Sequence, residues 1–146
     1  MQFFRTPEGE QATLVGWGLR VMLLTADRAG AEGATARRLS GAGGRVEAEG
    51  EMFAALSAVI DDPAGYGLVV IECDGFGGLE AGHRAHKLLR QAGLQIAVVL
   101  IGTDCVEQRF PEDSTLPTEL RAPLTGVALR VALEHVTRYR RLRVAE

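Results

Sequence analysis

Gly67-Leu68-Val69-Val70-Ile71-Glu72 is the stretch that decides the fold. It is β-branched, apolar up to its last residue and bounded by turn residues, the composition of a strand covered on both faces. Val21-Met22-Leu23-Leu24, running into Thr25-Ala26-Asp27, has the same character, and so has Ile96-Ala97-Val98-Val99-Leu100-Ile101, running into Gly102-Thr103-Asp104. Three such strands imply a sheet whose interior is parallel and whose two faces carry helices. Arg45-Val46-Glu47-Ala48 alternates instead, as an edge strand does. Thr118-Glu119-Leu120-Arg121 is long enough for a short strand ahead of Ala122-Pro123.

Between the strands the apolar spacing changes to that of helices. Residues 30–41 are helix-compatible (Ala31, Ala34, Ala36, Leu39) and stop at Gly41 to Gly44. Glu51 to Ile60 places Met52, Phe53, Leu56 and Val59 at helical spacing and is closed by Asp61-Asp62-Pro63. Residues 78–92 predict a helix with Leu79, Ala85, Leu88 and Leu89 inward and His83, Arg84, Lys87 and Arg90 outward, ended by Gly93. Gly126 to Arg143 is amphipathic on Val127, Leu129, Val131, Leu133 and Val136. Residues 104–118 break the rhythm: Pro111 and Pro117, with Asp113, Ser114 and Thr115 between them, leave the fourth helix short or lost.

Five strands alternating with helices require right-handed crossovers and helices on both faces. The expected topology is an α/β, flavodoxin-like, five-stranded parallel sheet of order 2-1-3-4-5. Residues 1–19, with Pro7 and the apolar Leu14, Val15 and Trp17, are expected to form an N-terminal extension to a domain spanning 20–146. In such sheets chemistry sits beyond the carboxyl ends of the strands.

The bulk numbers exclude several classes of function. At 146 residues, 47% hydrophobic and 24% charged, the chain has the make-up of one ordinary folded domain. A net charge of −3 and a pI near 5.7 give no general attraction to nucleic acid or anionic lipid. Cys73 and Cys105 have neither a CxxC spacing nor a partner framework, which argues against structural zinc and secreted disulfides. Met1-Gln2-Phe3-Phe4-Arg5 lacks the order of a signal peptide, and no apolar run reaches membrane-spanning length. A soluble, cytoplasmic protein is expected, with no membrane and no nucleic acid among its partners.

In arrangement, residues 20–143 resemble the CheY-like receiver domains of response regulators. In that family an acid pair follows the first strand, a phosphoacceptor Asp ends the third, a Thr or Ser ends the fourth, and a Lys precedes a Pro after the fifth. Oxygen ligands hold Mg²⁺, the Asp attacks phosphorus, and the Lys and hydroxyl neutralise the new charge. Laid over that pattern, Thr25 and Ala26 stand at the acid pair, with Asp27 one place late. Glu72 stands at the phosphoacceptor, Gly102 at the hydroxyl with Thr103 beside it, and Ala122 at the Lys. The scaffold matches while every chemical position departs. If the register is shifted by one, Asp74 becomes a surrogate acceptor and Thr103 the switch hydroxyl. A solvated carboxylate at a strand end accounts for Glu72 better than a permanent mimic of a phosphorylated state, because a mimic needs a cationic partner and Ala122 provides none.

Other chemistry finds less support. Gly75-Phe76-Gly77-Gly78 precedes a helix but lacks the Lys-Ser or Lys-Thr of a phosphate loop, so a tight turn explains it. His83 and His86 stand three apart with no carboxylate or third His obviously near, so both are expected to face solvent and no metal is expected. Cys73 lies at the active end of the sheet, where Glu72 and Asp74 would raise its pKa and blunt its reactivity.

The resemblance therefore implies a receiver-like signalling adaptor of bacterial two-component type that is neither phosphorylated nor an enzyme and needs no cofactor. It would act through a protein partner, a homodimer being one form of that contact. Arg138, Tyr139, Arg140 and Arg141 form a local basic cluster that reads first as a solvated helix end whose cations suit the helix dipole, and otherwise as a docking patch for an acidic partner or a self-association face. The alternatives are a small-ligand or nucleotide-binding flavodoxin-like protein, an atypical receiver phosphorylated at Asp74 or Glu72, or a minor enzyme using Glu72, Asp74 or Cys73.

Overall fold

The computed structural model describes residues 18–145, with side chains to residue 138. The extension of residues 1–17, including Leu14, Val15 and Trp17, lies outside the described residues. The elements run β1 (Arg20–Leu24), a 3-10 turn (Gly30–Glu32), α1 (Ala34–Gly41), β2 (Arg45–Glu49), α2 (Met52–Asp61) and β3 (Leu68–Glu72). A second 3-10 turn (Cys73–Phe76) is followed by α3 (Leu79–Gln91), β4 (Ala97–Gly102), β5 (Thr118–Arg121) and α4 (Gly126–Ala145). The sheet is parallel throughout, in the order β2-β1-β3-β4-β5, the flavodoxin-like topology.

Alternation along the central strands divides the core into two layers. Val21, Leu23, Leu68, Val70, Val99, Ile101 and Leu120 face α1 and α4. Met22, Leu24, Val69, Ile71, Val98 and Leu100 face α2 and α3. Each of these side chains is buried, and each contributes about 1.5–3 kcal/mol of burial free energy. At the amino-terminal end of the sheet Arg20 joins Glu47 at 2.6 Å and Asp62 at 2.8 Å while lying 4.1 Å over the Tyr66 ring.

Three details correct the sequence reading. The first helix is split: Gly33 is extended (φ −74, ψ 171), so residues 30–32 make only a turn and the α-helix starts at Ala34. On α3 the buried face is Ala81, Gly82, Ala85, His86 and Leu89, so His86 points inward and Leu88 is exposed. On α4 Ala128, Leu129, Ala132, Leu133 and Val136 face the sheet, while Val127 and Val131 face outward.

Residues 103–117 form no helix, as the prolines require, and make an ordered strap. Arg109 and Glu119 exchange backbone hydrogen bonds at 2.9 Å in an antiparallel bridge along the β5 edge. Two arginines pin the strap. The Arg90 guanidinium donates to the carbonyls of Leu94, Ile96, Ser114 and Thr115, and that of Arg121 donates to those of Cys105 and Val106. No helix among the described residues is long and apolar enough to cross a membrane.

Candidate functional site

Strand register brings the singled-out residues to one end of the sheet. Leu24 pairs with Ile71, so Thr25 emerges beside Glu72. Glu72 in turn pairs with Ile101, so Thr103 emerges beside Asp74. Gly102 pairs with Arg121, and the Ala122 amide donates to the Gly102 carbonyl at 3.0 Å. Ala122 is linked to Pro123 by a cis peptide bond.

Glu72 is half-buried and not a freely solvated carboxylate. The Thr25 hydroxyl donates to its Oε1 at 2.5 Å, and the Thr35 hydroxyl, from the first turn of α1, donates to its Oε2 at 2.6 Å. Both hydroxyls are themselves buried. Thr25 Oγ1 also accepts the Asp27 amide at 3.1 Å, which ties the loop after β1 to the same hydroxyl. Both oxygens of the strand-end carboxylate are therefore committed to neutral donors.

The aspartates around it are committed to backbone amides. Asp27 accepts the Ala29 amide at 2.9 Å, which fixes the turn before α1. Asp74 accepts both the amide of Thr103, at 3.0 Å, and its hydroxyl, at 3.2 Å. Asp104 accepts the Leu79 amide at 3.0 Å, capping α3 from the loop after β4. That contact also explains the glycine cluster: Gly77 (φ +113) and Gly78 (φ +88) adopt backbone that side chains resist, and the helix start they create holds Asp104. A Cβ at Gly102 would lie 2.6 Å from Asp104 Oδ1 and 3.3 Å from Leu79, so this arrangement has no room for a hydroxyl side chain there.

None of Asp27, Glu72, Asp74 and Asp104 has an ion pair among the described residues, and no three His, Cys, Asp or Glu side chains among those residues could share one metal ion. The Cys73 thiol is pushed up to about 12, and burial is the main cause; Asp104 and Asp74 add to it. The direction agrees with the sequence reading, while the dominant cause does not. Thr35 and Asp104 were not singled out from sequence. Asp104 follows a strand and could have been, whereas nothing local marks Thr35 as a partner of a residue 37 positions away.

The histidines also differ from expectation. His86 is buried, and His83 Nε2 lies 3.4 Å from Glu119 Oε2, so a carboxylate is near after all. Burial pushes the His86 imidazole down to about 4, with positive charge at Arg90 and His83 acting in the same direction. Of the basic cluster, Arg138 is exposed on α4; the side chains of Tyr139, Arg140 and Arg141 lie outside the described residues. Comparison of the chain with protein-family models, with curated proteins and with solved structures finds no match.

Proposed function

We propose that the chain is a receiver-like module that takes no phosphoryl group, is not an enzyme, and acts in signalling by binding another protein. The observation that carries this reading is the double hydroxyl lock on Glu72. An acyl phosphate forms when a carboxylate oxygen attacks phosphorus and the arriving charge is neutralised, and a hydrogen bond to the attacking oxygen lowers its nucleophilicity. Here each Glu72 oxygen holds a short hydrogen bond, and the position the resemblance gives to lysine is Ala122. The neighbouring acids serve as turn and helix caps. The strand ends are thus occupied with holding the loops in one arrangement. What remains to recognise a partner is surface, and α4 presents Val127 and Val131 one turn apart, 75% and 43% exposed.

The test is the intact mass of the protein after incubation with acetyl phosphate and Mg²⁺. An unchanged mass is expected in the wild type and in Asp74→Asn. Gain of one phosphoryl group, abolished by Glu72→Gln or Asp74→Asn, would replace this reading with that of an atypical receiver.

A further inference from the structure

Among the described residues β2 pairs with β1 alone, over Arg45 to Glu49, and its other side is the edge of the sheet. The Arg45 amide donates to the Leu19 carbonyl at 2.7 Å, and the Glu49 carbonyl accepts the Thr25 amide at 2.9 Å. Backbone direction alternates along a strand, so Arg45, Glu47 and Glu49 turn their amides and carbonyls toward β1 while Val46 and Ala48 turn theirs outward. Those outward groups have no hydrogen bond among the described residues. Such an edge is a template for another strand unless a proline, a bulge or repelling charge blocks it. β2 has no proline and pairs with β1 without a bulge, and its charges attract in one register.

That register is found by laying β2 antiparallel against a second copy of itself, with the two-fold axis through Glu47. Val46 then lies opposite Ala48 of the second copy, and each such pair exchanges two backbone hydrogen bonds. Arg45 lies opposite Glu49, once on each side of the axis, with both side chains on the same face. Arg45 has no ion pair or side-chain hydrogen bond among the described residues, and the Glu49 carboxylate accepts only the Gly50 amide, at 3.1 Å. Glu47 meets its own counterpart, but Arg20 and the Tyr66 hydroxyl already hold that carboxylate, each at 2.6 Å. Other registers fit less well. An axis through Ala48 sets Glu47 against Glu49, and one through Val46 offers Arg45 only the Glu47 that Arg20 already holds.

We propose that β2 is a self-association edge, through which two copies of this chain pair antiparallel about Glu47 and join their five-stranded sheets into one. A single strand of five residues from each copy makes a small contact, so the association is weak and reversible. The inference does not depend on the adaptor reading, because none of the paired side chains belongs to the strand-end site.

The experiment is sedimentation of the whole chain from about 10 µM to about 1 mM, with amide exchange measured at both ends of that range. The average mass should rise toward that of a dimer. Exchange at Val46 and Ala48 should slow with concentration, while the Glu47 amide, bonded to β1, stays unchanged. Arg45→Glu and Glu49→Arg should each weaken association about tenfold, since each sets like charges at both ends of the pairing. The double variant exchanges the charges and should restore it. Val46→Pro removes an outward donor without touching the β1 ladder and should leave a monomer. A monomer throughout the range, association indifferent to charge reversal, or failure of the double variant to restore it would each overturn the assignment. So would full protection of Val46 and Ala48 at the lowest concentration, the result of pairing with another segment of the same chain.

Discussion

Thr25 Oγ1 and Glu72 Oε1 are 2.5 Å apart, so the tips of β1 and β3 are joined by a hydroxyl–carboxylate bond. Glu72 needs a second donor for its other oxygen, and Thr35 reaches in from α1 to supply it. A half-buried carboxylate stays in place without a cation because two hydroxyls share its charge.

Removing either hydroxyl should therefore destabilise the protein. Val matches Thr in shape, so Thr25→Val and Thr35→Val delete the donor without opening a cavity. Each should cost about 1–3 kcal/mol in urea unfolding, the range for leaving a buried acceptor unpaired. Thr25→Val should cost more, because the Asp27 amide loses its acceptor as well.

Gly82 lies where α3 packs on β4 and on the 3-10 turn after β3, and an added Cβ would meet Cys73 Sγ at 2.6 Å and Leu100 Cδ2 at 2.9 Å. Both neighbours are fully buried and have little room to yield. Gly82→Ala gains about 1 kcal/mol of helix propensity but incurs about 1–3 kcal/mol of overpacking, so a net loss is expected. Adding Cys73→Ala should recover most of it, which a thermal melt of the double variant would reveal.

The frame of this fold is legible in the sequence because its central strands are buried on both faces and so carry continuous apolar runs. Which face of a helix turns inward is harder to read when the inward residues are small. Val127 and Val131 are more apolar than Ala128 and Ala132, yet the alanines let α4 approach the sheet and are the buried pair. The same arithmetic places His86 with Gly82 and Leu89, at spacings of four and three, although its polarity suggests a surface position. Register brings Thr25 to Glu72 and could be inferred once the strands are aligned. The Thr35 contact and the anchoring of the strap by Arg90 and Arg121 depend on side chains meeting across long separations, which no periodicity encodes.

The two thiols offer a direct check on burial at the strand ends. Cys73 is fully buried and its pKa is pushed up to about 12, while burial also raises that of Cys105. Since the thiolate is the reactive species, neither should react with a disulfide reagent near pH 8 in the native protein. Both should react at once in urea. Rapid labelling of Cys73 under native conditions would contradict the packing of α3 against the 3-10 turn after β3.

Arg90 should act on the strap more than on the core. Its guanidinium holds Leu94 and Ile96 at about the same distances, 2.9 and 3.0 Å, and reaches Ser114 and Thr115 at 3.4 Å. Arg90→Met keeps the stem and deletes these bonds. Hydrogen exchange should accelerate at residues 113–117 while amides of β1 and β3 keep their protection, since local opening need not involve the central sheet. Arg90→Lys should rescue little, because a single ammonium cannot span four carbonyls.

His86 makes stability depend on pH in a definite direction. Its imidazole falls from an ordinary 6.5 to about 4 in the folded state, so between these values the unfolded chain binds more protons than the folded one. Stability from this group is complete above about pH 6.5 and declines as the pH falls toward 4; below that both states are protonated and the loss stops. The full difference is on the order of 3 kcal/mol. His86→Leu removes the titration and the unpartnered Nε2 together. The variant should therefore match or exceed the wild type in urea midpoint at pH 7 and lose less than it does at pH 4.5. Equal losses in the two proteins would mean that other groups, with the strand-end carboxylates first among them, carry the acid sensitivity.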